Sequence, residues 1–483
     1  MSLSIQTTVF AITIFGIFYF FLKEKKKYKN SGCNIPRYKH DYPLFGSLII
    51  PIYPKHYIKA IEVMKGTMTF YTTLFSTPTI ISGDKDVAEH VFKECPKSLD
   101  SIAMKNLVLF SGKFDLLYLQ HGIDQPWKRT RRLLEPAFKI SSIKILIPIF
   151  NKHSTNLVNK LKGKCEKNGV YSFDFCKIIY DITFSIIADA GFGLENVKID
   201  KFRKAIDTIM TGLFNPLMAF PGGWKLLKYK FRKEMELIDN IIYEIIDKRT
   251  EEKLLCNDNQ GDDILDFLMK PDFEGNYLSR VELRDNLFLL FVAGHETTAT
   301  ILSWLFYHIC NDEEIYNKLT KEIDEVVGYE DINENHIRKL VYLQNCIYET
   351  LRLSPPTPGI TRHIDKTFEI NGLIFPKGFD ISCSPHMIHN NPLYWSEPEN
   401  FKPDRFSEEN SNSIIHGTFI PFSSGPRICI GKNFFYYSAK IVSASLLRNF
   451  TFEALKDSVG HGKYLDSPVY KPEKVCVRVS VRK

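Results

Sequence analysis

The sequence predicts one large, mainly α-helical domain with small β-sheets. Residues 143–163, 231–253 and 281–309 carry apolar side chains at every third or fourth position, with charged residues between them. This spacing is typical of helices that bury one face. Beyond the N-terminal segment the chain has no internal repeat, low-complexity tract or long linker. We therefore expect residues 31–483 to form one body.

The predicted strands are short and lie outside the helical stretches. They are rich in β-branched residues and bounded by turn residues, the pattern of strands in small sheets. These segments are 78–82, 368–375, 379–384 and 474–482.

The composition indicates a packed globular protein. Hydrophobic residues make up 44% and charged residues 25% of the 483 residues, which excludes extended disorder. The net charge of +7 is small for this length, so we expect no nucleic-acid partner. The ten cysteines include no C-x-x-C pair, which leaves no zinc or dithiol motif and favours reduced thiols facing the cytosol.

Residues 1–30 are predicted to be an N-terminal membrane anchor with a basic flank. Leu3 to Leu22 is an uncharged run of twenty residues, long enough at ~1.5 Å per residue to cross a hydrocarbon core of ~30 Å. The lysine-rich segment 23–29 follows at once and places the rest of the chain on the cytoplasmic side. A cleaved signal peptide would carry its positive charge before the apolar run and a small-residue cleavage site after it. A buried core helix is the alternative, but a chain terminus seldom supplies so long an apolar run without a polar face.

One cysteine stands in a distinctive context. Residues 421–431, PFSSGPRICIG, are rich in glycine and proline and precede a predicted helix at 432–450; we call them the cysteine loop. Cys429 is therefore expected at a helix N-terminus, where free backbone N–H groups favour a thiolate that can act as a nucleophile or soft metal ligand. The alternative is a buried thiol that packs as a small apolar residue.

The cysteine loop contains the pattern F-x-x-G-x-R-x-C-x-G, formed by Phe422, Gly425, Arg427, Cys429 and Gly431. Five specified residues coincide by chance in such a chain roughly once in ten thousand trials. The pattern resembles the haem-binding loop of the cytochrome P-450 family, eukaryotic microsomal type. The resemblance implies that Cys429 is the axial ligand of the iron of haem b. It also implies that the glycines let the backbone approach the sulfur and the haem closely, that Phe422 shields the sulfur and that Arg427 neutralises a haem propionate.

A second segment, within residues 291–304, resembles the A-G-x-E-T-T motif of the same family. The resemblance implies that Gly294 opens a groove for dioxygen, that Thr297 donates a hydrogen bond to bound oxygen and that Glu296 helps to deliver protons. Glycine and buried polar residues are costly in an apolar helix, so packing alone does not explain them. The alternative for Thr297 is a hydroxyl bonded to its own helix.

Three further residues are assigned a structural role. Glu349 and Arg352 form E-x-x-R, which taken alone is an ordinary ion pair on a helix surface. Arg405 lies in FKPDRF, shortly before the cysteine loop, with Asp404 where many relatives have glutamate. The resemblance implies that Glu349, Arg352 and Arg405 join in a buried network that braces the haem-binding core.

Three residues are expected to bind the haem propionates. Trp127 and Arg131 match the family's W-x-x-x-R, and both can donate hydrogen bonds. Arg362 follows the Glu349 helix, where relatives contact the second propionate. The alternative for the 125–138 segment is a basic solvated helix face, which could dock an acidic electron donor.

The resemblance implies a membrane-anchored monooxygenase, placed at the endoplasmic reticulum, that inserts one oxygen atom of O2 into a lipophilic substrate. The substrate classes are fatty acids, sterols, terpenoids and xenobiotics, and the pocket is expected to include residues 101–123 and 205–225. NADPH and flavins are expected to act only through a separate NADPH-cytochrome P-450 reductase, with a cytochrome b-type protein as a further donor. No flavin or nicotinamide motif is present, because GFGLEN at 191–196 lacks the last glycine of G-x-G-x-x-G.

The sequence is also compatible with other functions. The same fold could serve as an isomerase or dehydratase without O2 activation, or the protein could bind haem in the membrane without turnover. A membrane-tethered scaffold without cofactor is a third possibility. A zinc-protease site is excluded, because H-E-x-x-H requires a histidine where Ala299 stands.

Overall fold

The computed structural model describes residues 31–38, 68–74, 77–95, 125–194, 199–213, 215, 223–255, 263–328, 330–456 and 469–482. The predicted anchor and its flank, and the predicted pocket segment 101–123, lie outside these residues. The helices of the described part are Lys85–Glu94 (α1), Gln125–Leu134 (α2), Ile140–Ile145 (α3), Ile147–Asn168 (α4), Phe175–Phe192 (α5), Ile199–Leu213 (α6), Gly223–Lys230 (α7), Arg232–Leu255 (α8), Ile264–Leu268 (α9), Arg280–Cys310 (α10), Glu313–Val327 (α11), Glu334–Lys339 (α12), Val341–Leu353 (α13), Pro385–His389 (α14) and Lys432–Asn449 (α15).

The strands form three small sheets. They are Thr69–Leu74 (β1), Thr77–Ser82 (β2), Val170–Asp174 (β3), Ile360–His363 (β4), Phe368–Ile370 (β5), Leu373–Phe375 (β6), Asp380–Cys383 (β7), Phe450–Ala454 (β8) and Cys476–Val481 (β9). The sheets have the strand orders β1-β2-β7-β4, β3-β9-β8 and β5-β6. The β2–β7 pair is parallel and the other pairs are antiparallel. The prediction of a mainly helical fold with small sheets is confirmed.

Helix α10 runs through the core of the described part. It begins at a capping box in which the side chain of Ser279 accepts from the N–H of Glu282 and the Glu282 side chain accepts from the N–H of Ser279. Its aromatic side chains pack against α5, as in the stacked pair Phe184 and Phe291. Helix α10 is long and apolar enough to cross a membrane, but most of it is buried within the protein. We therefore interpret it as a core helix.

The cysteine loop and its following helix are held against the helical core. Helix α15 packs on α4, with the rings of Phe434 and Phe150 edge to face at 5.2 Å. The predicted helix at 143–163 is divided in the structure, because α3 ends at Ile145 and α4 begins at Ile147 with a proline in its first turn. The other long predicted helices differ from α8, α10 and α15 by at most two residues at each end.

Candidate functional site

The cysteine loop holds Cys429 directly before α15. The backbone N–H of Cys429 donates to the carbonyl of Phe422 at 3.0 Å, which closes the loop. The side chain of Cys429 is accessible, although many protein atoms surround it. Burial raises the pKa of the thiol, while the N–H groups of Gly431 and Lys432 and the charge of Arg131 oppose that rise.

Gly425 brings helix α1 against the cysteine loop. Its φ is +70°, a left-handed conformation that favours glycine. A Cβ atom at this position would lie 3.0 Å from the carbonyl carbon of Phe92 and would overlap the carbonyl oxygen. The glycine of the loop motif is therefore required by backbone conformation and by close contact with α1. Phe92, which we did not predict, supplies that contact.

Helix α2 also contacts the cysteine loop. Arg131 donates from Nη1 to the carbonyl of Ile428 at 2.8 Å and from Nε to Glu135 at 2.8 Å. The guanidinium of Arg427 lies over the ring of Trp127, 4.7 Å from its centroid. The structure thus brings three predicted cofactor-binding residues together beside the thiol, and Arg131 also fixes the loop backbone.

Arg362 reaches the same region from β4. Its side chain is buried, and its guanidinium lies 5.5 Å from the ring centroid of Phe92. Phe92 therefore contacts Gly425 through its carbonyl and Arg362 through its ring. This residue links the two predicted cofactor-binding residues, and the only sequence signal for it was its place on the apolar face of α1.

An accessible face of α10 carries the predicted threonine. Ala293 is exposed and Thr297 is half-buried one turn later, within a helix that is otherwise mostly buried. The Thr297 hydroxyl donates to the carbonyl of Ala293 at 2.8 Å, which is the alternative considered for it above. Thr298 is buried on a different face and donates to the carbonyl of Gly294.

Gly294 packs against α5 in the structure. A Cβ atom at Gly294 would lie 3.0 Å from a side-chain carbon of Ile187 on α5. The glycine therefore permits close packing of α10 on α5 and does not open the face that bears Thr297. Ala293 lies one turn before Thr297 on the same face of α10, and its small side chain leaves the adjacent space accessible.

The other two polar residues of the motif are buried. Glu296 is paired with Lys471, whose Nζ lies 3.3 Å from Oε1. His295 lies edge to face between the rings of Tyr180 and Phe184. Burial lowers the pKa of His295 to about 4, so its imidazole is neutral at pH 7. We did not predict Lys471, because its segment carries no motif.

The three residues assigned a structural role meet in one network. Both nitrogens Nε and Nη2 of Arg352 donate to the carboxylate of Glu349, at 2.7 and 2.8 Å. Arg405 donates from Nε to the same carboxylate at 3.1 Å, and so does the N–H of Lys402 at 2.9 Å. Arg352 and Glu349 are fully buried. Asp404 instead pairs with Lys318 at the surface, so its replacement of glutamate leaves the network intact.

The residues around the cysteine loop fit a thiolate-bound haem. The accessible, enclosed thiol with N–H groups directed towards it suits a soft metal ligand. Gly431 lies beside the thiol, where an added Cβ would be 3.9 Å from the sulfur, and the nearby cations suit the propionates. Within the described residues, no group of three or more His, Cys, Asp or Glu residues could hold another metal ion.

Comparison with known proteins agrees with this arrangement. The family model described as Cytochrome P450 matches residues 36–474. The chain is 30% identical to lithocholate 6-beta-hydroxylase of Mesocricetus auratus over 372 residues, which are 72% of each chain. It is 30% identical to cytochrome P450 3A16 of Mus musculus over 69% of each chain, and 28% identical to cytochrome P450 4V2 of Mus musculus over 68% of this chain and 67% of the relative. Because the family model covers most of its length and the relatives match over two thirds or more of theirs, this protein belongs to the cytochrome P450 family.

Proposed function

We propose that this protein is a membrane-bound haem-thiolate monooxygenase in which Cys429 is the iron ligand. Members of its family are haem-dependent monooxygenases that insert one oxygen atom of O2 into lipophilic substrates. The observation that carries the assignment of the ligand is the position of Cys429, an accessible thiol within the protein with the N–H groups of Gly431 and Lys432 directed at it. Bound there, a thiolate-ligated haem supplies the activation of O2.

The propionate-binding residues are proposed to be Trp127, Arg131, Arg362 and Arg427. All four belong to elements that contact the cysteine loop or Phe92 beside it. Trp127 donates through its indole N–H, and the arginines supply positive charge. Phe422 packs against the rings of α15 and limits the access of water to the sulfur.

Protons are proposed to pass through Glu296 and Thr297. Glu296 is the one carboxylate of α10 within a turn of Ala293 on the open face, and it is paired with Lys471. The Thr297 hydroxyl lies on the open face, where it would be available to donate a hydrogen bond if it left the carbonyl of Ala293. Without this pair, electrons are expected to be lost as hydrogen peroxide.

The substrate is proposed to be lipophilic, as a fatty acid, sterol, terpenoid or xenobiotic is. Lithocholate 6-beta-hydroxylase, a relative named for a lipophilic steroid acid, supports this class. Helix α7 supports entry from a membrane, because Leu226 and Tyr229 are exposed beside Lys225 and Lys228. The predicted anchor, Leu3 to Leu22, would hold the body at the endoplasmic reticulum.

Electrons are proposed to come from a membrane-bound NADPH-cytochrome P-450 reductase, with a cytochrome b-type protein as a further donor. Arg132 and the exposed Lys128 extend the outer surface of α2, while Arg131 on the same helix holds the cysteine loop. A basic surface so near the thiol suits an acidic electron-transfer partner.

The proposed function is tested by the spectrum of the reduced, carbon monoxide-bound protein. Thiolate ligation is expected to give a strongly red-shifted Soret band, which Cys429→Ser should lose. Cys33→Ser, which changes a half-buried thiol in the N-terminal region, is the control and should keep the band. A Soret band at the ordinary position in folded, haem-loaded wild-type protein would refute the assignment of Cys429.

A further inference from the structure

His389, the last residue of α14, connects the buried ionic network with the start of the cysteine loop. Its backbone carbonyl accepts a hydrogen bond from Nη1 of Arg352 at 2.8 Å, and its Nε2 accepts one from the backbone N–H of Ile420 at 2.9 Å. Ile420 directly precedes Pro421, the first residue of the cysteine loop. One residue therefore links α13, which carries Arg352, to the chain that leads to Cys429.

The backbone of Ile420 is held at both its polar groups. Its N–H donates to His389, and its carbonyl accepts from the N–H of Ser423 at 3.1 Å. Ser423 has a φ of +64°, so the chain turns here in a left-handed conformation that is unusual for a residue other than glycine. The N–H of Cys429 then donates to the carbonyl of Phe422. The bond from Ile420 to His389 is thus the first of a short series of hydrogen bonds that ends at Cys429.

The ring of His389 is fully buried and neutral. It packs against the ring of Phe419, with the two centroids 5.5 Å apart. Burial, and after it the charge of Arg352, lowers the pKa of His389 to about 3. Because Nε2 accepts from Ile420, the one ring proton must lie on Nδ1. The structure therefore depends on one tautomer of a neutral imidazole.

Arg352 on α13 and His386 on α14 are the charged or titratable side chains that act most on this ring. Both lower the pKa of His389, while the backbone carbonyls of Leu351 and Arg352 act in the opposite sense. Phe419, which packs on the ring from the segment before the cysteine loop, is apolar. A second proton on the ring is therefore opposed while the ring is buried and is accepted readily once the ring reaches water.

We propose that His389 is a positioning residue of the haem-thiolate centre, which holds the start of the cysteine loop through Ile420 and so keeps Cys429 in place as the iron ligand. A ring that gains a second proton, at Nε2, can no longer accept from Ile420, and the start of the loop is released. The inference rests on the proposed ligation of the iron by Cys429. It implies that the thiolate ligand is lost before the helical core unfolds.

Two amide substitutions test the hydrogen-bond acceptor. In His389→Gln the side-chain oxygen can take the place of Nε2, whereas in His389→Asn it is one methylene too short to reach Ile420. The measurement is the rate at which the red-shifted band of the reduced, carbon monoxide-bound protein converts to the ordinary position in dilute urea. We expect His389→Asn to convert about tenfold faster than wild type, and His389→Gln to stay close to wild type. Equal rates in the two variants would overturn the inference.

His416 supplies the matched control. It is exposed and lies four residues before Ile420 in the same segment. His416→Gln and His416→Asn should both convert at the wild-type rate, because neither changes a contact of the loop.

Amide hydrogen exchange gives a measurement that does not depend on the haem spectrum. The amides of Ile420 and Ser423 should be protected in wild type and in His389→Gln, and should exchange about tenfold faster in His389→Asn. Peptides from α10 are the internal reference and should not change. Equally faster exchange in α10 would show a general loss of stability and would overturn the local role. If only His389→Asn fails to fold, the need for the acceptor is supported; if His389→Gln also fails, the inference is overturned.

Acid should release the loop through the same residue. The pKa of His389 is about 3 in the folded protein and about 6.5 once the ring is in water. Its contribution to holding the loop is therefore complete above about pH 6.5 and is lost as the pH falls towards 3. Between about pH 6.5 and 4.5 the conversion of wild type should accelerate about tenfold more than that of His389→Gln, which has no ring to titrate. Equal acceleration would contradict the inference, and His416→Gln should follow wild type.

The outcomes separate this inference from the proposed function. A wild-type band at the ordinary position would overturn ligation by Cys429, and the inference with it. A red-shifted band in wild type, together with equal conversion and equal exchange in His389→Gln and His389→Asn, would overturn the role of His389 and leave Cys429 as the ligand.

Discussion

The backbone carbonyl of Phe92 fills the space that a side chain on Gly425 would need. The two residues lie more than 300 positions apart in the chain, yet a Cβ atom on Gly425 would be 3.0 Å from the Phe92 carbonyl carbon and would overlap the oxygen. The contact joins α1 to the cysteine loop, and the ring of Phe92 extends it to Arg362. The position of the loop therefore depends on α1 as well as on α15.

Gly425→Ala should be strongly destabilising and should reduce haem binding. The variant combines a left-handed φ of +70° with a steric clash against rigid backbone. Gly372→Ala is the matched control, because φ there is +75° and no atom lies within 4 Å of the added Cβ. We expect the control to lose about 1 kcal/mol and Gly425→Ala to lose clearly more. Equal losses in urea unfolding would show that the contact with Phe92 is unimportant.

Glu349→Gln should destabilise the protein by about 3–5 kcal/mol, because it leaves two arginines of a buried ionic network without their shared carboxylate. Arg352 is the more affected of the two, since it is fully buried. The measurement is the free energy of unfolding in urea. Asp404→Asn is the control: this residue pairs with Lys318 at the surface, where the loss should be within about 1 kcal/mol. A loss of that size for Glu349→Gln would contradict the structural role.

Thr297→Ala should keep the carbon monoxide spectrum but raise the share of NADPH electrons recovered as hydrogen peroxide several-fold. The reason is that Thr297 lies on the accessible face of α10. Thr298→Ala is the control, because Thr298 makes the same type of hydrogen bond to its own helix but faces the packed side chains of α5 and α15. Equal peroxide release from the two variants would count against the assignment of Thr297.

Acid should destabilise the protein partly through His295. Its pKa is about 4 in the folded protein and about 6.5 when unfolded. The unfolded state binds more protons between these values, so this contribution to stability is complete above about pH 6.5 and falls by up to about 3 kcal/mol towards pH 4. His295→Phe, which keeps ring packing with Tyr180 and Phe184, should flatten the decrease in unfolding free energy. The same decrease in both proteins would contradict the prediction, and the interval from pH 8.5 to 7.5 is the control.

The sequence sufficed for features that depend on local pattern. Apolar periodicity identified α8 and α10, and the turn residues of the cysteine loop placed Cys429 just before α15. The meeting of Glu349, Arg352 and Arg405 was also expected, because a family motif marks each of them. Strands β1, β3, β4 and β8 were not predicted. Strand β3 pairs with the distant β9, whereas β1 forms a hairpin with the adjacent β2.

The rest depended on tertiary contacts that no local pattern records. Gly294 and Ala293 are neighbours in sequence, and only the rotation of α10 relative to α5 shows which of them lies on the open face. Phe92 and Lys471 reach the site from segments without any motif. Their roles come from what the fold places beside them, a glycine in one case and a buried acid in the other.

The parallel pairing of β2 with β7 has a consequence for the order of folding. It joins residues 77–82 to residues 380–383, and the entropy of closing so long a loop must be met before the sheet gains any stability. During synthesis, the pairing of β2 with β7 and the contact of α1 with the cysteine loop must therefore wait until those later segments have left the ribosome, while α4 and α5 can pair early as chain neighbours. Insertion of the haem is thus a late event, which follows synthesis of nearly the whole chain.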